Sequence, residues 1–516
     1  GGCGDFGNFE PTTLANDVPD ATCAKYRYRV WDRVGNRTTY RSGRETKVDL
    51  SAPTAPGSLV SSGTGPTETT LSWSASTDNL GVLGYGIYRD GIRVANVSAT
   101  TYRVGWLGCE EAYGFSVDAI DAAGLRSDPV AIDVTTAACP APSTDADVFV
   151  APNGFDSNPC TREAPCLTFD NAYENAESGD VVEIASGRYG REDIEVDEKA
   201  SAEPILFRPA PGAAVVVEDL SVEGDHVIVR DVQTAYSFSP GGEPQQGVAS
   251  IGRGSVGVRL EDIDAGHVFV AGDEATVEGG DFGPTVDEVS RISGQGAEPG
   301  LAPRDVVIDG AVFHDFLREE QHMECIAVAS ADGLTIRNST FNNCAVFGIF
   351  MKEFSDSDLM RRITIENNFF GNTLAIEMSA MIKLTTPESQ VPCSDVLIRN
   401  NTVVDKLVLT DCPGTNIRWE SNILESLPAS ICEDRPAGTT FDFNVIEEGA
   451  VCGPNDLLVA DALLVNREAL DLHLLPGSPA IDRASPASSA HDDIDGDVRP
   501  QGGAPDSGAD EFVFSP

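Results

Sequence analysis

Positive charge is what this chain has least of. Lysine occurs six times in 516 residues, and the 35 lysines and arginines stand against 82 aspartates and glutamates, a formal net charge of −47. Such a surface repels nucleic acid, anionic membrane and long polyanions unless a basic site or bound cations intervene, so no nucleic-acid partner is expected. No apolar run reaches the length of a membrane span, and no signal peptide opens the chain, which is expected to be a mature or truncated piece. CxxC knuckles are missing, which argues against structural zinc. Also missing are a Gly-rich phosphate loop, an HExxH pair and a nucleophile elbow, so nucleotide chemistry is not expected.

What the chain does have is a repeat. VVIDGAVF, LTIRNSTF, ITIENNFF, VLIRNNTV, IRWESNIL and TFDFNVI follow one another between Val306 and Ile446. With the third residue of each unit as anchor, the series runs Val229, Leu260, Val277, Ile308, Ile336, Ile365, Ile398, Trp419 and Phe441, at gaps of 17 to 33 residues. A repeat of this period, built from β-branched and aromatic residues, predicts a β-solenoid in which each coil buries its apolar edge on its neighbours. The residue after each anchor is charged in all nine units, from Arg230 to Asp442, and strand alternation turns it outward as a structural stripe. Three residues past the anchor stand Ser339, Asn368, Asn401, Asn422 and Asn444, which predict an amide ladder at a coil corner, scaffold and not active site.

The twelve cysteines fall into sequence-local pairs: Cys3/Cys23, Cys109/Cys139, Cys160/Cys166, Cys325/Cys344, Cys393/Cys412 and Cys432/Cys452. An even count at these separations fits disulfides and an extracellular, secreted or cell-surface setting. Within the solenoid, stacked coils bring other cysteines close, so the pairing there stays open.

Along the chain, residues 1–52 carry YRYRVWDRVGN and TKVDL and resemble the last strands of a bacterial immunoglobulin-like domain, whose front half is expected upstream. Residues 53–139 carry TLSWSASTDNLGVLGYGIYRDG and YGFSVDAIDAAGLRS and resemble a fibronectin type III domain of secreted bacterial proteins, a sandwich read as a spacer. After a linker at 140–146, DVFVAPNGFDSNPC and SGDVVEIASGRYG resemble the capped opening of secreted right-handed parallel β-helix proteins, the pectate-lyase-like superfamily. The resemblance implies a helix at Phe169 to Ala176 and an all-β fold over 147–480. Residues 481–516, with DIDGDVRPQGGAPDSGADEF, resemble a C-terminal segment of such proteins and are read as a cap. Its Asp492, Asp493, Asp495 and Asp497 look like a calcium loop, but the twelfth position, where an EF-hand needs glutamate, is Gly503.

Chemistry is expected between the coils that carry FHDFLREEQHMEC, FGIFMK and IEMSAMIK. Lys352 and Lys383 would close the second strands of successive coils and face outward together, and mutual repulsion would lower one pKa toward that of a base. A lyase acting beside a carboxylate needs such a base, from Lys352, Lys383 or His322, and a cation held by Asp315, Glu324 or Glu377; His314 lies in the same stretch. A hydrolase would need two carboxylates, Glu324 with Glu377 or Asp315. In a structural reading, His322 and Glu324 only brace a loop beside the Cys325/Cys344 bridge. The functional expectation is a secreted protein that binds or degrades a polysaccharide or cell-surface glycan, the alternative a non-catalytic adhesive protein; calcium is the one cofactor considered, and oligomeric state is left open.

Overall fold

The computed structural model describes residues 22–24, 27–31, 37–41 and 46–513, apart from 80, 122, 139, 141–142, 197–202, 239–243, 287–288, 294–301, 318–322, 353–359, 372–379, 386–392, 411–413, 468 and 488. Before residue 49 and at 236–238, 244–245, 352, 380–381, 383–385 and 405–410, only the backbone is described. The chain divides into two compact units, Gly1–Pro140 and Ala141–Pro516.

In the first unit, Arg27–Trp31 pairs antiparallel with Arg37–Arg41, and Thr22–Ala24 with Thr46–Val48. A sandwich follows, with three strands on one side (Gly57–Ser62, Thr69–Ser74, Thr101–Val104) and four on the other (Val82–Arg89, Ile92–Val97, Ala112–Asp121, Val130–Thr135). Its inward positions alternate along each strand, so Leu71, Ile87, Phe115 and Val117 are fully buried and Trp73 meets Tyr85 edge-on at 5.3 Å. The fibronectin-like reading is thereby met.

The second unit is a right-handed parallel β-helix. Its first face stacks twelve parallel strands from Val148–Val150 to Thr439–Asp442, and a continuous 20-stranded sheet bends to supply the second and third faces. All nine anchors fall in one register column of the first face: Val229 pairs with Leu260, Leu260 with Val277, and so on to Trp419 with Phe441. Val182 and Phe207 extend the column upstream. A second column on the second face stacks Phe282, Phe313, Phe341 and Phe370, with ring centroids 5.1, 5.2 and 4.6 Å apart.

The corner between the first and second faces has one conformation throughout. The second residue past each anchor is left-handed: Asp231, Asp262, Gly279, Gly310, Asn338, Asn367, Asn400, Ser421 and Phe443 all have φ between 50° and 70°. That turn swings the following residue inward, where the amide ladder forms. Asn401 Nδ2 and N donate to Asn422 Oδ1, Asn422 does the same to Asn444 Oδ1, and Asn444 to Asp456 Oδ1, which ends the run. The charged stripe next to the anchors also differs from the expectation in detail. Glu261 and Glu366 are buried, held by Arg230 and Arg399, and Arg337 pairs with Asp309 and not with Glu366.

At the N-terminal end, Thr168 caps a helix over Phe169–Asn175, which buries Phe169, Ala172 and Tyr173 on the first coils. The C-terminal segment runs as a strap along the left-handed corner: Asn367 donates to the Asp492 carbonyl, Asn400 to that of Asp506, and Ser507 to that of Phe443. Fully formed bridges join Cys160–Cys166, Cys325–Cys344 and Cys432–Cys452. Cys109 and Cys393 are disulfide-bonded too, while their expected partners Cys139 and Cys412, and the side chains of Cys3 and Cys23, lie outside the described residues.

Candidate functional site

Because successive coils stack in register about 4.8 Å apart, outward residues line up in columns on each face. On the second face one column reads Arg188, Val216, Gln233, Asp264, Asp281, Val312. On the third face one reads Asp193, Ser221, Ser250, Phe269, Arg291, Ala327, Phe350, Lys383. Where the chain turns from the second face to the third, a cavity of about 440 Å³ opens, lined by Arg188, Tyr189, Val216, Glu218, Asp219, Ala235 and Gly247. That volume is within the range of small-ligand clefts.

The cavity runs into a set of perturbed groups. Asp219 Oδ1 accepts the Val248 N–H, and Val248 pairs with His267 on the next coil. Burial pushes the His267 pKa down to about 4, opposed by Asp219 and aided by Arg291, so the imidazole is neutral near pH 7. Its Nδ1 is buried and has no hydrogen-bond partner. One column over, Gln233 and Gln246 donate to the two oxygens of Asp264 at 2.7 and 2.8 Å. Burial nevertheless raises the Asp264 pKa to about 6.

His314 stands at the lower edge of this set. Burial alone would lower its pKa, but Nε2 meets Asp281 and Nδ1 meets Asp315, each at 3.0 Å, and these bonds prevail and hold it up at about 10. It is an imidazolium at neutral pH with both nitrogens engaged, which makes it a clamp and not a free base. For Asp315, burial works upward but is outweighed by His314 and Asn343, leaving its pKa below the usual value. Asp315 itself has a φ of 56°.

The other expected site residues are scattered by the fold. Glu324 has the same strand parity as Ile326 and Val328, whose side chains fill the core, and only 4% of it is exposed. It sits beside the Cys325–Cys344 bridge, where the structural reading placed it. Lys352 pairs with Thr385 and Lys383 with Phe350, so the two lysines are on the same side of adjacent coils but offset by two residues, not opposed. His322 and Glu377 lie outside the described residues.

The C-terminal aspartates are not gathered around one point. Asp493 is buried and accepts the amides of Asp495, Asp497 and Glu511, so its oxygens close a turn of the strap. Asp492 meets His491, and Asp495 meets His473 Nε2 at 2.8 Å near Asp510. Sequence reading missed Arg188, Asp219, Gly247 and His267 because they lie on or between second- and third-face strands of two to four residues, which carry no repeat of their own.

No protein-family model matches the chain. Among curated proteins it is similar to chitinase Chi52 of Paenibacillus xylanexedens, 42% identical over 109 residues, which cover 21% of this chain and 20% of that protein. Chitinase A1 of Niallia circulans is 35% identical over 134 residues, 26% of this chain and 19% of that one. Exoglucanase B of Cellulomonas fimi is 33% identical over 168 residues, 31% and 15%. The chain thus spans a fifth or less of the length of these relatives. Of solved structures, pectate lyase Pel9A aligns over 72% of this chain and 97% of its own at 13% identity with a TM-score of 0.46. FN3tt aligns over 17% of this chain and 98% of its own at 24% identity with a TM-score of 0.15. Among the described residues, no helix is long and apolar enough to cross a membrane.

Proposed function

We propose that this is an extracellular protein whose β-helix binds a polysaccharide along the outer surface of its third face and cleaves it. The observation that carries the reading is the cavity of about 440 Å³ at the turn into that face, beside which Asp219 accepts the Val248 N–H, Val248 pairs with His267, and Arg291 pairs with Phe269 two positions past His267. A repeating polymer suits a repeating surface, because each coil offers one more set of polar groups at a constant rise. The disulfides suit an extracellular setting, and the similarity to chitinases and an exoglucanase suits a glycan.

For the chemistry, a lyase-type proton abstraction is favoured over hydrolysis. Lys352 and Lys383 stand on adjacent coils, so one in its neutral form would serve as base while the other, charged, neutralises the sugar carboxylate; Arg291, three coils away in the Lys383 column, would hold a neighbouring sugar of the same polymer. The competing reading, a non-catalytic adhesive or structural protein, is favoured by one specific finding: His314, Asp315 and Glu324 are all engaged in structure.

The test is a glycan panel incubated with the full chain, following absorbance for unsaturated products and reducing ends for hydrolysis. Unsaturated products lost in Lys383→Ala and Lys352→Ala, with melting temperature kept, support the lyase. Reducing ends without absorbance would make it a hydrolase. Binding without turnover would leave the adhesive reading, and silence on every glycan would end the proposal.

A further inference from the structure

Three aspartates far apart in sequence converge in the first unit. Asp49 stands just after the strand Thr46–Val48, Asp78 in the turn before Val82–Arg89, and Asp121 ends the strand Ala112–Asp121. One carboxylate oxygen from each lies within 4.8 Å of the other two. The remaining oxygens are tied to backbone amides: Asp49 Oδ1 to Ser51 at 3.2 Å, Asp78 Oδ2 to Gly81 at 3.0 Å, and Asp121 Oδ1 to Ala123 and Leu125 at 2.8 and 2.9 Å. These bonds fix the aim of each carboxylate.

For Asp49 and Asp121, what the other oxygen is aimed at is not a protein donor. Asp121 is fully buried, and its Oδ2, like that of Asp49, is buried with no hydrogen-bond partner. The ion pairs of the sandwich, Arg103 with Glu68 and Arg126 with Asp118, involve neither residue. One buried and two half-buried carboxylates that converge repel one another and lose hydration, and a cation among them relieves both costs. All the available ligand atoms are oxygens, which selects a hard ion, and an irregular set drawn from three separate loops suits the flexible coordination of Ca²⁺ better than the near-ideal octahedron that Mg²⁺ demands.

We propose that Asp49, Asp78 and Asp121 bind a calcium ion, which ties the segment ahead of the sandwich to two of its turns. The site is independent of whatever the β-helix does. Spacing hid it from the sequence, because the three residues are 29 and 43 positions apart.

The test uses the full chain stripped with EDTA. Titration with Ca²⁺ should show one more equivalent bound by the wild type than by Asp121→Asn or Asp49→Asn, a difference that sets aside binding by the acidic C-terminal strap. Ca²⁺ should raise the wild-type Tm of the first unit by at least about 3 °C and the variants' hardly at all. In EDTA the order should reverse, with both variants at or above the wild type because repulsion has been removed; Asp121→Asn keeps the oxygen that accepts from Ala123 and Leu125, so it should fold. Equal stoichiometry in wild type and variants would overturn the proposal. So would a wild-type Tm that Ca²⁺ leaves unmoved, or an equal rise with Mg²⁺.

Discussion

The amide-laddered corner between the first and second faces, on the later coils, and the turn between the second and third, on the earlier coils, spend their polar groups differently. At the first, every inner ladder amide is used, and only Asn367 beside it keeps a buried Oδ1 unpaired among the described residues: Asn401 alone donates to Asn422 Oδ1, to the Ile365 carbonyl and to that of Arg399, and accepts from Asn368. At the second, His267 Nδ1, Gln233 Oε1 and Gln246 Oε1 are buried without partners, and Asp264 and His267 have pKa values moved by burial. A polar surface that satisfies itself is scaffold. One that leaves buried groups wanting is where a ligand finds a use for them.

The largest effect that would break this comparison is at the ladder. Asn401→Ala should destabilise the β-helix by roughly 3 kcal/mol, since it leaves buried partners unpaired on both neighbouring coils; a denaturant midpoint shift equivalent to less than about 1 kcal/mol would mean the corner is not self-supporting. Replacing Cys325 and Cys344 together by Ser should cost about 3 kcal/mol by releasing a loop of 19 residues, read from the same melts with and without reductant.

The second turn gives pH signatures of opposite origin. His314 has a folded pKa raised to about 10, so its clamp contributes fully below its ordinary value of 6.5 and is lost as pH rises through about 10. Stability should therefore fall over that window, and His314→Gln should flatten the fall. Asp264 is raised to about 6 from 3.8, so ionising it penalises the fold: stability should decline as pH rises from about 4 to about 6. Asp264→Asn should then stabilise at pH 7.5 and give no gain at pH 4. The smallest effect belongs to the exposed stripe. Arg337→Ala breaks a pair with Asp309 in which Arg337 is nearly half exposed, and should cost less than about 1 kcal/mol.

Much of the fold was legible because burial imposes a pattern. Anchors such as Ile336 and Trp419 must be apolar at every coil, and Asn422 must be an amide for its neighbours to bond, so both leave a repeat. The left-handed corner was less legible, since Asp, Asn, Gly, Ser and even Phe443 fill it, the last held under the C-terminal strap by Ser507. The candidate site was less legible still. Rarity of lysine and histidine drew attention to His314, which proves to be locked between Asp281 and Asp315, and to Glu324, which turns inward. Arg188, Asp219 and His267 carry no motif, and only the register of short strands brings them together.

The most direct test sets binding against stability on one glycan identified by the panel. Equilibrium binding and thermal melting should be measured for the full chain, for Arg291→Ala and for Asn401→Ala. The account predicts that Arg291→Ala loses binding at least tenfold with a Tm within about 2 °C of the wild type, and that Asn401→Ala melts well below it yet binds normally at temperatures where it is folded. Undiminished binding in Arg291→Ala, or lost binding in folded Asn401→Ala, would contradict the division of the β-helix into a self-satisfied corner and a ligand-binding face.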